Sequence, residues 1–224
     1  MKLAIVGAGK MGGAVLAGHL LRGSQEGGPL ILGFGGNAWD GAAMVFFLRR
    51  AFPGNDVAAF HYRGYAPSTG RPTAAALQED AVAVYDHLAS GRDVVAVGFS
   101  IGAGPAAHLA GARPLAVVML ITAFDSLEAL ARGHYPWAPV GWLLRHHMAP
   151  ADDLAGSAVP VALITAGGDT IIPAARTEAL RQVLAGTSPG IVFDKTIAGG
   201  HNDIYARPEL IEAMRAALTA LEGE

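Results

Sequence analysis

Short runs of apolar residues, many of them β-branched, recur along the chain. Most are followed by a glycine-rich turn and then by a segment with apolar spacings of three and four. Residues 2–6, 29–34, 57–62, 94–97, 114–121, 160–165 and 191–197 read as strands. Residues 41–50, 72–90, 103–110, 177–185 and 208–221 read as helices, and so does the stretch from Gly12 to about Leu21. The helix over 72–90 presents Leu77, Ala81, Val84, Tyr85 and Leu88 on one face, with Thr73 placed as its N-cap. Strands that are apolar throughout and alternate with helices predict a mostly parallel, doubly wound α/β sheet covered on both faces. The polar, glycine-rich stretch 24–28 is a loop, and 1–224 is expected to be a single domain with an atypical βα unit at 1–23.

Two of the strand-to-helix turns carry chemistry. The first is Gly7-Ala8-Gly9-Lys10-Met11-Gly12, a G-x-G-x-x-G after a strand. It is similar to the opening of pyrroline-carboxylate reductases over residues 1–23, which implies a nicotinamide dinucleotide held by Gly7, Gly9 and Gly12. Such a site also needs an acidic or basic ribose contact about 20 residues on. The next strand ends instead in Gly33-Phe34-Gly35-Gly36, without carboxylate or arginine. The expectation is therefore no cofactor, with nucleotide binding as the alternative.

The second turn is Gly98-Phe99-Ser100-Ile101-Gly102, a G-x-S-x-G between a strand and a small-residue helix. A serine at the apex of so tight a turn crowds the positions two residues away, which favours glycine there. Two later strands end in Asp169 and His201. In a parallel sheet the C-terminal strand ends lie along one edge, so Ser100, Asp169 and His201 are brought together in the order nucleophile, acid, histidine. Imidazole takes the serine proton during attack, and a carboxylate on the other ring nitrogen orients it. The backbone N–H groups of Ile101 and Phe34 are the candidate oxyanion donors. Asp125 and Asp203 are rival acids.

Composition narrows the readings. Charged residues make up 16% of the chain, hydrophobic ones 52%, and the net charge is -3 with no basic run, so nucleic acid is not an expected partner. The absence of cysteine excludes thiol nucleophiles and disulfides and fits a reducing, cytoplasmic setting. Residues 3–21 are apolar, but Lys10 and His19 break the run short of the roughly 20 residues a membrane span needs. His146-His147 is an adjacent pair whose side chains diverge on a helix, so no metal is expected there. Trp137, Trp142 and Met148 fall in residues 126–157, where a lid would be inserted, and are the expected lining of an acyl pocket without a lid domain.

From residue 29 on the chain resembles the α/β-hydrolase superfamily, and within it the lidless group of bud-emergence-type hydrolases and protein depalmitoylases. The residues that carry the resemblance are Gly35-Gly36-Asn37, Tyr62-Arg63-Gly64-Tyr65, Gly98 to Gly102, Tyr135-Pro136 with Pro139-Val140, Gly168-Asp169 with Ile172-Pro173, and Gly200-His201-Asn202-Asp203. It implies Ser100 as nucleophile, Asp169 as acid and His201 as base, acting on a small-molecule or acyl ester or thioester. A non-catalytic binding protein on the same scaffold is the other reading. Leu32-Gly33 stands where the family usually has His-Gly, and His61 where it often has Asp. Relatives usually begin with antiparallel strands, so a reductase-like βα unit at the front implies a rebuilt sheet edge.

Overall fold

Alternate residues of the central strands go to opposite faces of the sheet. Leu30, Leu32, Val94 and Ala96 join one core, while Ile31, Val95, Val97 and Phe99 join the other. Side chains that point to opposite faces along a strand, and are apolar on both, require a cover on each side. The computed structural model describes residues 2–6, 14–144 and 146–222. Within them the sheet has eight strands: β1 (Lys2–Val6), β2 (Val15–Leu21), β3 (Leu30–Phe34), β4 (Asp56–Phe60), β5 (Val94–Phe99), β6 (Val117–Ile121), β7 (Val161–Ala166) and β8 (Ile191–Ile197). Their spatial order is β1-β2-β4-β3-β5-β6-β7-β8, parallel from β4 to β8 and antiparallel at β1 and β2.

One cover is formed by α1 (Gly41–Ala51) and α8 (Pro208–Glu222), through Met44, Val45 and Leu48 of the first and Leu210 and Met214 of the second. Arg215 of α8 donates to the carbonyls of Ala51 and Arg50, at 2.7 Å each. A cation is thereby set at the negative end of α1, whose last carbonyls lack helical partners. The other cover is α2 (Ala74–Leu88), α3 (Ala103–Ala112), the short α6 (Pro150–Ala155) and part of α7 (Ala174–Leu184). Thr73 caps α2 as its sequence requires, its side chain accepting from the Ala76 N–H. Between β6 and β7 the chain also forms α4 (Leu127–His134) and the single turn α5 (Val140–Leu143).

The front of the chain corrects an expectation. Residues 15–21 form β2, not a helix, and β2 runs antiparallel to both β1 and β4. Almost every residue there is apolar, so spacings of two and of three or four are satisfied equally. The burial alternates strictly, with Leu16, Gly18 and Leu20 inward, which is the strand period. A dinucleotide unit needs a helix after its first strand and a parallel return. Here β2 lies antiparallel to β1 instead. Gly7, Gly9 and Gly12 themselves lie outside the described residues. The two antiparallel strands that the α/β-hydrolase resemblance leads one to expect are thus present, built from the segment that looked foreign to it.

Asp56, at the start of β4, ties the loop over 22–29 to the sheet. It accepts from Arg22 at 2.5 Å, from Arg92 at 2.8 Å and from the Gly23 N–H at 2.8 Å. Burial pushes this carboxyl up, but the donors from Arg92, Gly23 and Arg22 outweigh it and hold its pKa at about 2 against an ordinary 3.8. The stabilisation is therefore complete above about pH 4 and is lost as pH falls through 2. Asp56→Asn is predicted to lower stability at neutral pH by about 1–2 kcal/mol. It should also flatten the acid limb of a stability-against-pH curve, measured by urea unfolding. An unchanged acid limb would contradict this assignment.

Candidate active site

The site is built at the end of β5. Phe99 ends the strand in extended conformation, and Ser100 takes a left-handed φ of 53° in a 3-10 turn (Ser100–Gly102) that feeds α3. A serine pays steric strain at such a φ, and it persists only where surrounding contacts determine it. Those contacts are backbone contacts. A Cβ on Gly98 would lie 2.6 Å from the Gly102 carbonyl oxygen and 2.8 Å from the Ala106 Cβ. A Cβ on Gly102 would lie 2.2 Å from the Phe34 carbonyl oxygen. The small side chains of α3, beginning Ala103-Gly104-Pro105-Ala106-Ala107, let the helix sit this close to the strand.

The structure brings the three residues from separate strand ends together. Ser100 Oγ lies 2.9 Å from His201 Nε2, and His201 Nδ1 lies 2.7 Å from Asp169 Oδ2. The side chains of His201 and Asp169 are buried. The other oxygen of Asp169 accepts from the N–H groups of Ile171 and Ile172, at 2.9 and 2.8 Å. Three donors thus fix one carboxylate, and the carboxylate fixes the ring. The two rival acids are occupied elsewhere. Asp125 pairs with Arg176 at 3.1 Å, and Asp203 accepts from the Gly200 N–H at 3.0 Å in its own turn.

Ser100 and His201 open into a cleft of about 430 Å³, walled by Gly36, Asn37, Trp39, Ile171, Asn202 and Tyr205. Trp39 stacks edge-on against Phe99 at 5.0 Å between ring centres and lies 5.4 Å from Tyr205. The Tyr205 ring stands perpendicular to His201 at 6.2 Å, and its hydroxyl lies 2.9 Å from Thr122 Oγ1. Burial pushes the Tyr205 pKa up to about 12, with the Asp169 charge adding and the Thr122 hydrogen bond opposing. It therefore stays protonated and neutral beside the imidazole.

The candidate oxyanion groups sit on either side of Ser100. Ile101 is the middle residue of the 3-10 turn, and Phe34 ends β3 in register with Gly98. Tyr62, just beyond β4, donates its hydroxyl to the Gly35 carbonyl at 2.9 Å and so ties down the turn that follows Phe34. That tie stands in a chain with leucine at 32, where the family usually has histidine. His61, the other departure, is buried, with His19 Nε2 3.2 Å from its Nε2 and Asp40 Oδ2 3.6 Å from its Nδ1.

Of the expected acyl-pocket residues, Trp137 and Met148 are not among those that wall the cleft. Trp137 is 83% exposed, and Met148 is buried in a small core with Phe124, Ile172 and Ala74. The side chain of Trp142 lies outside the described residues. Trp39 and Tyr205 form the wall instead. Their sequence signals were nearness alone, two residues after Asn37 and four after His201. Among the described residues no group of three or more histidine and carboxylate side chains is placed to hold a metal ion.

No protein-family model matches the chain. Over 201 residues it is 36% identical to uncharacterized protein Rv2307c of Mycobacterium tuberculosis, covering 87% of this chain and 68% of the relative. Protein MT2364 of another strain of that species matches to the same extent. The chain belongs to the family of these mycobacterial proteins. Its fold is shared more widely. A thermophilic esterase from Thermogutta terrifontis superposes with a TM-score of 0.73 at 18% identity, over 99% of both chains. Mouse alpha/beta hydrolase domain-containing protein 10 does so at 0.71 and 18%, over 99% of this chain and 98% of that one. The fold is that of the α/β hydrolases.

The turn geometry yields a paired prediction. Gly102→Ala drives a Cβ into the Phe34 carbonyl and should destabilise the protein by roughly 2–3 kcal/mol. Gly133→Ala, in α4 with open space around it, should be neutral or stabilising by up to about 1 kcal/mol. Denaturant unfolding of the two variants checks both, and equal effects would contradict the packing described.

Proposed function

We propose that this protein is a serine hydrolase that cleaves carboxylic esters or thioesters through an acyl-enzyme. The observation that carries the reading is the hydrogen-bonded series Ser100–His201–Asp169 at a strained turn, open to a cleft. Ser100 Oγ attacks the substrate carbonyl while His201 Nε2 takes its proton. Asp169 holds Nδ1 protonated and stabilises the imidazolium. The N–H groups of Ile101 and Phe34 receive the oxyanion. Collapse of the tetrahedral intermediate returns the proton from His201 to the leaving alcohol or thiol. Water then enters with His201 as base, and the acid product leaves with Ser100 restored.

The esterase among the structural neighbours supports ester chemistry on this scaffold. The cleft is mixed in character, with Asn37 and Asn202 beside Trp39, Ile171 and Tyr205, which suits an acyl group joined to a polar remainder. The short segment between β6 and β7 supports assignment to the lidless, depalmitoylase-like group. A chain without cysteine supports a cytoplasmic setting.

A fluorophosphonate probe should label Ser100 alone, located by peptide mass spectrometry. Ser100→Ala should lower p-nitrophenyl ester turnover by at least about 10³-fold while the melting temperature holds. Labelling elsewhere, or retained turnover, overturns the reading. Tyr62→Phe should lower kcat by about tenfold with KM little changed. The loss is smaller than the 10²–10³ that follows removal of an oxyanion donor itself. A change confined to KM would place Tyr62 outside the support of the oxyanion turn.

A further inference from the structure

Four non-glycine residues among the described ones hold a left-handed φ: Ala38, Ser90, Ser100 and Thr122. Thr122, at 47°, is the one with a branched β-carbon, the side chain least suited to that backbone. It stands just past β6 and is 1% exposed. Its N–H donates to the Ile164 carbonyl of β7 at 2.9 Å, which holds the backbone in place. A glycine would meet the demands of the turn without steric cost. Strain kept on a buried threonine points to a use for its side chain.

That side chain makes two hydrogen bonds. The Thr122 hydroxyl donates to the Ile121 carbonyl at 2.8 Å, and the Tyr205 hydroxyl oxygen lies 2.9 Å from it. A threonine hydroxyl has one proton to give. With that proton on Ile121, Tyr205 is the donor to Thr122. The series Tyr205–Thr122–Ile121 therefore runs one way, and it ends on the strand that pairs with the nucleophile strand β5.

Tyr205 needs such an anchor. It lies in a short 3-10 turn (Asp203–Ala206), half-buried at the wall of the cleft. Its ring stands perpendicular to the His201 imidazole at 6.2 Å, within the range of an edge-to-face pair. Asp169 holds that imidazole at Nδ1 alone. One hydrogen bond tolerates a rocking of the ring that would carry Nε2 away from Ser100. Tyr205 closes one side of that motion, and Trp39, Phe99 and Thr122 keep Tyr205 in place.

We infer that Thr122 is a positioning residue: it anchors Tyr205, and Tyr205 keeps the His201 ring at the angle from which Nε2 reaches Ser100. The effect on turnover rests on the serine hydrolase reading.

The test is a set of four variants assayed with p-nitrophenyl acetate, well below their melting temperatures, beside the rate of fluorophosphonate labelling at Ser100. Thr122→Val keeps the branch and loses the hydroxyl. It should lower kcat by about tenfold with KM within about twofold of the parent. Tyr205→Phe cuts the same bond from its other end and should do the same. The double variant should lose no more than either single one, because all three lack one and the same bond. Thr122→Ser keeps the hydroxyl and should hold kcat within about twofold. The labelling rate should fall with kcat. An unchanged kcat in either single variant, losses that multiply in the double variant, a change confined to KM, or an equal loss in Thr122→Ser overturns the proposal. These outcomes in a parent that labels and turns over sink the positioning role alone. A parent that neither labels at Ser100 nor turns the ester over sinks the hydrolase reading, and the role of Thr122 in turnover with it.

Discussion

The left-handed backbone at Ser100 is the constraint on which the rest of the site depends. A serine does not hold φ = 53° on its own account. It is held where Gly98 lies against the Gly102 carbonyl and Ala106, and where Gly102 crosses the Phe34 carbonyl, each too closely to admit a Cβ. The same contact binds the serine turn to the end of β3, where the proposed second oxyanion donor lies. One steric contact thus sets two parts of the site relative to each other. The electrostatic part is layered upon it: Asp169 is pinned by two backbone donors, and it pins the His201 ring that reaches Ser100.

Those positions were legible in the sequence because the parallel sheet translates chain order into space. Each candidate stands just past an apolar run, and a parallel sheet sends every such end to the same edge. Choosing Asp169 over Asp125 and Asp203 needed more than spacing. All three lie beside strand ends or the histidine; the family resemblance implies Asp169, and the partners of the two rivals, Arg176 for one and the Gly200 N–H for the other, agree with that choice. Residues 15–21 were misread for the opposite reason. A segment in which nearly every position is apolar contains both periods, so no count over it distinguishes helix from strand. What decides is the partner: an antiparallel place beside β4 was open, and β2 filled it.

The segment between β6 and β7 shows why a hydrophobic residue near an expected site need not belong to it. Its two halves meet different surroundings. Toward β7, Met148 lies against Gly104 of α3, and α6 packs Ala151 and Leu154 into the core beneath the helices. Toward β6, α4 has no buried residue at all, and the chain beyond it leaves Tyr135 and Trp137 in solvent. Sequence hydrophobicity is the same kind of signal in both halves. Only the neighbouring small residues of α3 turn one half into core. In the other half Leu127 and Leu130 of α4 are only half-buried against Phe124, Met148 and Ile172, and Tyr135 and Trp137 stand exposed. That difference leaves Tyr135 and Trp137 on the surface, while Trp39, Asn37 and Tyr205 wall the cleft beside Ser100.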